Sequence, residues 1–204
     1  RYGADALRYV ICELQTGTQD IRLPVQAISP FTAQGEPERL VDLATAKPGP
    51  YLGTFVDPIT NQPMDLIGQY AKQGITAAKA TSERFTVGAS FCNKLFHAAR
   101  FAFLNLDGTT FEPLDAQQLP LEDRWILSRL TVAIDAVHAA LAAYHPAAAL
   151  SAARDFFWNE LCDWYLELLK PRCKDGGDAG ERRIAQQVLA AVLDQTLRLL
   201  HPFV

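Results

Sequence analysis

Residues 121–144 read LEDRWILSRLTVAIDAVHAALAAY, and within them Leu127, Leu130, Ile134, Val137, Leu141 and Tyr144 recur at intervals of 3, 4, 3, 4 and 3. That alternation keeps one apolar seam on one side of an α-helix, and the seam needs other helices to cover it. The chain that follows supplies the cover. Pro146 stands where a helix can begin, and Leu150, Ala153, Phe157, Leu161, Trp164 and Leu168 hold the same spacing up to Pro171. Beyond the loop CKDGGDAGE (173–181), a stripe of Ile184, Val188, Val192, Thr196 and Leu199 runs on to Pro202. Upstream, Ser82 and Glu83 cap an element carried to about Asn105, with Phe91, Leu95, Ala98 and Ala102 on one side. A second stripe there, Phe85, Phe96 and Phe103, predicts contact on more than one side. Four helices with short connections make a mainly α fold, an antiparallel helical bundle.

The first 82 residues behave differently. Leu7, Val10, Ile11 and Leu14 predict an N-terminal helix, which Gly17 and Pro24 end in an extended exit. From Pro24 to Pro63 the chain holds seven of its twelve prolines and no sustained periodicity. This reads as an irregular, partly β insertion, with a hairpin around YLGTFVDPITNQP (51–63) whose turn uses Asp57-Pro58 and Asn61. The resulting division is 1–24, 25–82 and 83–204.

Composition narrows the function classes. With 204 residues, 49% hydrophobic and 21% charged, the chain resembles an ordinary globular protein. No run approaches the apolar length that spans a bilayer, and no signal peptide opens the sequence, so no membrane is expected and the location reads as cytoplasmic. Both ends, Arg1 and LLHPFV, read as cut from a longer protein. Cys12, Cys92, Cys162 and Cys173 form no C-x-x-C pair, and His97, His138, His145 and His201 are scattered, so no metal ligands are assigned. A net charge of −4 argues against a broad electrostatic field for nucleic acid but leaves room for a local basic face. The window from Lys170 to Arg183, with five basic and three acidic residues, reads as a solvated loop.

No catalytic residue is assigned. Phosphate-binding glycine loops and a nucleophile elbow are absent from the sequence. Glu160 and Asp163 share one helical turn and read as salt-bridge partners of an arginine such as Arg124 or Arg129. A binding face is the better candidate. In CNKLFHAARF (92–101), Lys94, His97 and Arg100 are spaced for one helix face beside Asn93, with Phe96 and Phe101 bordering it. Guanidinium and ring together suit an unstacked base, while a solvated helix face over core phenylalanines gives the same pattern. Trp125 lies off the seam, either packing against the rest of the chain or forming a platform for a ligand.

Several segments carry a resemblance. RYGADALRYVICELQTGTQDIRLP (1–24) resembles the stretch after the KMSKS loop of class I aminoacyl-tRNA synthetases. FCNKLFHAARF (91–101), LEDRWILSRL (121–130), FFWNELCDWYLELLKPR (156–172) and LRLLHPFV (197–204) resemble, in that order, the anticodon-binding helical domain of the valyl-tRNA synthetase family. Isoleucyl and leucyl relatives share YGAD and LR, but GTQDIR and WNELCDWYLE are closer to the valyl type. The resemblance implies a tRNA-recognition fragment, residues 1–24 being a stem-contact segment and 83–204 the anticodon-binding bundle. Its full enzyme attaches valine to tRNA using ATP with magnesium. The fragment itself lacks the catalytic and editing domains, needs no cofactor and is inactive alone. Valine-specific tRNA and a catalytic domain in cis are the implied partners of a monomer. Lys94, Arg100 and Trp125 become candidate tRNA contacts, Lys94 to phosphate and the other two to splayed bases, with Asn93 and His97 beside them and Arg22 in the stem-contact segment. Residues 25–82 match no part of the family pattern. The alternatives are an all-α protein-interaction module, or the same domain of an isoleucyl-type synthetase.

Overall fold

The computed structural model describes residues 3–14, 23–106, 119–173 and 178–204. They form two compact units, Arg22–Phe85 and a helical unit assembled from Arg1–Ile21 and Thr86–Val204. The chain is mainly α with a β-containing insertion, as the spacing predicts. Its helices are α1 (Gly3–Glu13), α2 (Glu83–Asn105), α3 (Leu121–Ala142), α4 (Pro146–Asp155), a π-helical segment (Phe156–Tyr165) running directly into α5 (Leu166–Arg172), and α6 (Ala179–Leu200).

The seam of α3 is rotated from its expected phase. Ile126, Leu130, Ala133 and Val137 are buried, whereas Leu141 is 41% exposed. Ala133 on α3 and Ala149 and Ala153 on α4 are buried, and α3 packs against α4. Tyr144 also leaves the core, at 89% exposed. It sits at φ 58, and its amide donates to Leu141 O (3.0 Å) while that of His145 donates to Ala140 O (2.9 Å). Those two bonds make a Schellman closure, and the left-handed residue in it turns the chain back into α4. Pro146 then opens α4 as expected.

A second phase shift occurs in FFWNELCDWY. Leu161 is followed in the core by Tyr165, Leu166 and Leu169, and the expected Trp164 and Leu168 are 65% and 44% exposed. The cause is the ten-residue π-helix, in which the Leu166 amide reaches Leu161 O. Hydrogen bonds from i to i+5 widen each turn, so the buried stripe slips by one residue.

Phe91 on α2 is the aromatic hub of the helical unit, with ring centroids 5.1 Å from Tyr9, 5.5 Å from Phe157 and 6.4 Å from Trp158. At Gly88 a Cβ would lie 3.0 Å from Ala6 O and 3.2 Å from Tyr9 Cδ1, so glycine permits the close approach of α1. On α1 itself Ala6, Tyr9 and Val10 are buried, while the expected Leu7 and Ile11 are exposed. The second α2 stripe fails too: Phe96 and Phe103 are 63% and 65% exposed. Asp178 caps α6 by accepting the Glu181 amide at 2.9 Å, half of an Asp-x-x-Glu capping box. By length and composition α3 is apolar enough to cross a bilayer, contrary to the sequence reading. Its buried positions, Asp123, Ile126, Leu130, Ala133 and Val137, share one side of a helix that packs on α4, α6 and the π-helical segment, the pattern of a bundle helix.

Among its described residues the other unit has seven short strands: β1 (Gln26–Ile28), β2 (Leu40–Val41), β3 (Lys47–Pro48), β4 (Thr54–Val56), β5 (Pro63–Asp65), β6 (Thr76–Ala77) and β7 (Lys79–Thr81). They form sheets of order β2-β1-β7 and β3-β4-β5-β6. Ala27, Val41, Met64 and Ala78 make its core, flanked by Phe31, Leu43 and Phe55. The expected hairpin is β4–β5, with Thr54 opposite Asp65. Its turn is closed by Asp57, whose Oδ1 accepts the Ile59 amide (2.9 Å) and whose carbonyl accepts that of Asn61 (2.8 Å), with Asn61 at φ 58.

Candidate functional site

Burial of Gly88, Phe91, Ala98 and Ala102 fixes which way α2 turns, and the opposite side must face solvent. Asn93, Phe96, His97, Arg100, Phe103 and Leu104 recur there at helical intervals and are all exposed. Two phenylalanines more than 60% exposed on one helix stripe, interleaved with Arg100 and His97, are costly in water unless something covers them.

Lys94 and Phe101 occupy the neighbouring, half-buried stripe. Lys94 Nζ lies 2.9 Å from Asp163 Oδ1 and 3.8 Å from the centroid of the Trp158 ring. Carboxylate and π-face together satisfy that ammonium and tie α2 to the π-helix. Lys94 and His97, with Ala98 and Phe101, also line a groove of about 250 Å³ closed by Cys162, Leu166, Glu167 and Lys170. Its floor is apolar and its rim charged, with Lys170 Nζ held by Glu167 at 2.6 and 2.7 Å. Burial pushes the Cys162 thiol up to about 12, against the smaller opposing pull of Lys94. That cysteine, buried on the π-helical segment, is a packed wall of the groove.

The sequence-selected residues therefore divide into groups. Asn93, His97 and Arg100 share the exposed α2 stripe, Lys94 joins His97 at the groove, and Trp125 is half-buried on α3. Arg22 lies outside the described residues, as does Arg1; Arg8 is exposed and donates to Val204 O at 2.7 Å.

The acids of the aromatic segment hold helices together. Glu160 accepts two hydrogen bonds from Arg129, at 2.7 and 2.8 Å, and Asp163 takes Lys94. Sequence reasoning missed the strongest such site. Asp123 is fully buried; its carboxylate accepts Arg172 through both oxygens (2.9 and 2.8 Å) and the Tyr165 hydroxyl (2.7 Å). Burial, and then the Asp123 charge, push the Tyr165 hydroxyl pKa far above its ordinary value, so it remains a donor. The signal was present: Asp123 is in phase with Ile126, Leu130, Ala133 and Val137.

Residues 123–204 match the anticodon-binding domain of tRNA ligase. Over 208 residues the chain is 41% identical to the valine–tRNA ligase of Rhodopirellula baltica, a match covering 99% of this chain and 19% of that protein. It is 47% identical over 130 residues to the valine–tRNA ligase of Thermosynechococcus vestitus, with 61% of this chain and 14% of that protein covered. For the valine–tRNA ligase of Synechocystis sp. the identity is 41% over 157 residues, covering 74% and 17%. The chain thus spans about a fifth or less of the length of these relatives. Coverage of 99% takes in residues 25–82, so the segment without a recognised family pattern has a counterpart in the Rhodopirellula protein.

Proposed function

We propose, from the premise that this chain belongs to the valine–tRNA ligase family and contains its anticodon-binding domain, that the helical unit holds the anticodon loop of a transfer RNA on the exposed face of α2. The observation that carries this reading is the solvent-facing stripe of Asn93, Phe96, His97, Arg100, Phe103 and Leu104. Unpaired bases stack on phenyl rings and guanidinium planes, and the amide and imidazole groups of Asn93 and His97 can hydrogen-bond to base edges. Trp125 adds a half-buried indole on α3 as a further stacking candidate. Lys94 would reach a phosphate only by giving up Asp163, so its contribution is to the shape of the face first and to charge second.

In this reading residues 1–24 are a stem-contact segment, with Arg22 a candidate phosphate contact, and 83–204 form the anticodon-binding bundle. The longer protein is a cytoplasmic, monomeric ligase that joins valine to its tRNA using ATP with magnesium, its catalytic domain acting in cis. The 204-residue chain would bind without aminoacylating. Titrating it with valine tRNA at low salt should give binding that weakens with rising salt. Arg100→Ala should lose roughly tenfold, the order expected for one stacking contact. Unchanged affinity in both Arg100→Ala and Trp125→Ala would reject this face.

A second reading attaches to residues 25–82 alone. Leu52 is 92% exposed and Ile67 80% exposed there, the apolar display expected of a protein-docking surface. Recovery of one stoichiometric protein that is lost in Leu52→Ser/Ile67→Ser would support it.

A further inference from the structure

Two runs in the Arg22–Phe85 unit repeat one pattern, Ser29-Pro30-Phe31-Thr32 and Asp57-Pro58-Ile59-Thr60. Each is an oxygen-bearing side chain, a proline, an apolar residue and a threonine, so two polar side chains stand three residues apart. The structural setting repeats as well. The first run follows β1 and leads toward its antiparallel partner β2; the second follows β4 and leads toward its antiparallel partner β5. The leading amide closes its hairpin in both, Ser29 N donating to Arg39 O and Asp57 N to Gln62 O, each at 2.9 Å. In both, the amide two residues on donates back to the leading side chain: Phe31 N to Ser29 Oγ (3.3 Å) and Ile59 N to Asp57 Oδ1 (2.9 Å).

The turns meet head to head. Ser29 Oγ donates to Asp57 Oδ2 at 2.5 Å, with Ser29 only 4% and Asp57 0% exposed. Thr60 Oγ1 is buried beside this carboxylate without reaching hydrogen-bond geometry to any partner. Thr32 Oγ1 turns back to Ser29 O at 3.2 Å.

Paired i, i+3 donors on two opposed hairpin turns are how C-x-x-C pairs offer four sulfurs to one zinc ion. Three hydroxyls and a single carboxylate are poor ligands for such a metal, which selects thiolate and imidazole. We propose that Ser29, Thr32, Asp57 and Thr60 occupy the four ligand positions of a zinc-ribbon-type site, in which the Ser29–Asp57 hydrogen bond performs the cross-linking that a metal performs when those positions are cysteines. A unit whose core is Ala27, Val41, Met64 and Ala78 needs such a link, because short domains bury too little apolar surface to stand on it alone.

The test converts the site. In the full 204-residue chain, Ser29→Cys/Thr32→Cys/Asp57→Cys/Thr60→Cys should bind one additional Co²⁺ per chain relative to the parent. The complex should show the visible d–d bands and near-ultraviolet thiolate charge transfer of a tetrahedral site, and Zn²⁺ should displace it. Ser29→Cys/Thr32→Cys/Thr60→Cys, which keeps the native carboxylate as fourth ligand, should give the same bands at lower affinity. Absence of tetrahedral bands in both variants, or a metal stoichiometry equal to the parent's, overturns the proposal. A measurement without metal guards against misfolded variants: Asp57→Asn should raise the rate of proteolytic cutting within residues 25–82 by about tenfold or more while helical circular dichroism is unchanged. Cutting at the parental rate counts against the cross-link.

Discussion

The helical unit and the Arg22–Phe85 unit use carboxylates in opposite ways. In the bundle, acids join elements distant in sequence: Asp123 with Arg172, Glu160 with Arg129 and Asp163 with Lys94. In the other unit Asp57 and Asp65 each bind amides two or three residues on, shaping their own turns, and Asp57 also reaches across to Ser29. Charge in the bundle thus fixes the register of helices that already share a large apolar core. In the small unit it shapes the turns around a core of few side chains. Substitutions of the bundle's acids should therefore act on the whole helical unit, and those in the turns only locally.

The largest effect separating the two regions should come from Asp123→Ala. It removes both bidentate bonds to the Arg172 guanidinium, whose side chain is 10% exposed, and the acceptor of the buried Tyr165 hydroxyl, leaving Arg172 with Glu122 at 3.3 Å, and should cost about 3 kcal/mol in denaturant unfolding of the helical unit. A loss under about 1 kcal/mol would mean that Glu122 alone holds Arg172 and that Asp123 does not set helix register.

Next in size is the acid response of the small unit. Burial alone would raise the Asp57 carboxyl, but hydrogen bonds from the Ser29 hydroxyl and from the Ile59 and Thr60 amides outweigh it and hold the group below the usual carboxylate range. A lowered folded value means that the contribution is fully present above the unfolded pKa of about 4 and is lost as pH falls through the folded one. Proteolysis within residues 25–82 should therefore rise below about pH 4. In Asp57→Asn that pH dependence should flatten, and an unchanged profile would place the acid sensitivity elsewhere.

The smallest effect concerns Tyr144, held at φ 58 and 89% exposed. Relieving a left-handed tyrosine with Tyr144→Gly should stabilise the α3–α4 turn by up to about 1 kcal/mol in thermal melts. Destabilisation would show that the ring contributes contacts of its own.

These regions also differ in how far their sequences can be read. Spacing of 3 and 4 announced the bundle helices, because many turns of helix repeat the same signal. It misplaced Tyr144 and Trp164, since a left-handed residue and a π-helix alter the phase and leave no mark in apolar spacing. Asp57-Pro58 and Asn61 announced the β4–β5 hairpin through turn chemistry. The sheet β2-β1-β7 was not legible, because strands of two or three residues are too short to show alternation. At the candidate site, the exposure of Asn93, His97 and Arg100 follows from the phase of α2. The pairing of Lys94 does not, because Asp163 and Trp158 lie on an element more than sixty residues away.

The most direct test places a photoreactive base in the anticodon loop of valine tRNA, cross-links it to the 204-residue chain at low salt and maps the adducts by mass spectrometry. The α2 face predicts adducts within residues 93–104, lost in excess unlabelled tRNA and reduced in Arg100→Ala. Adducts confined to residues 25–82, or spread over the surface without competition, would contradict it.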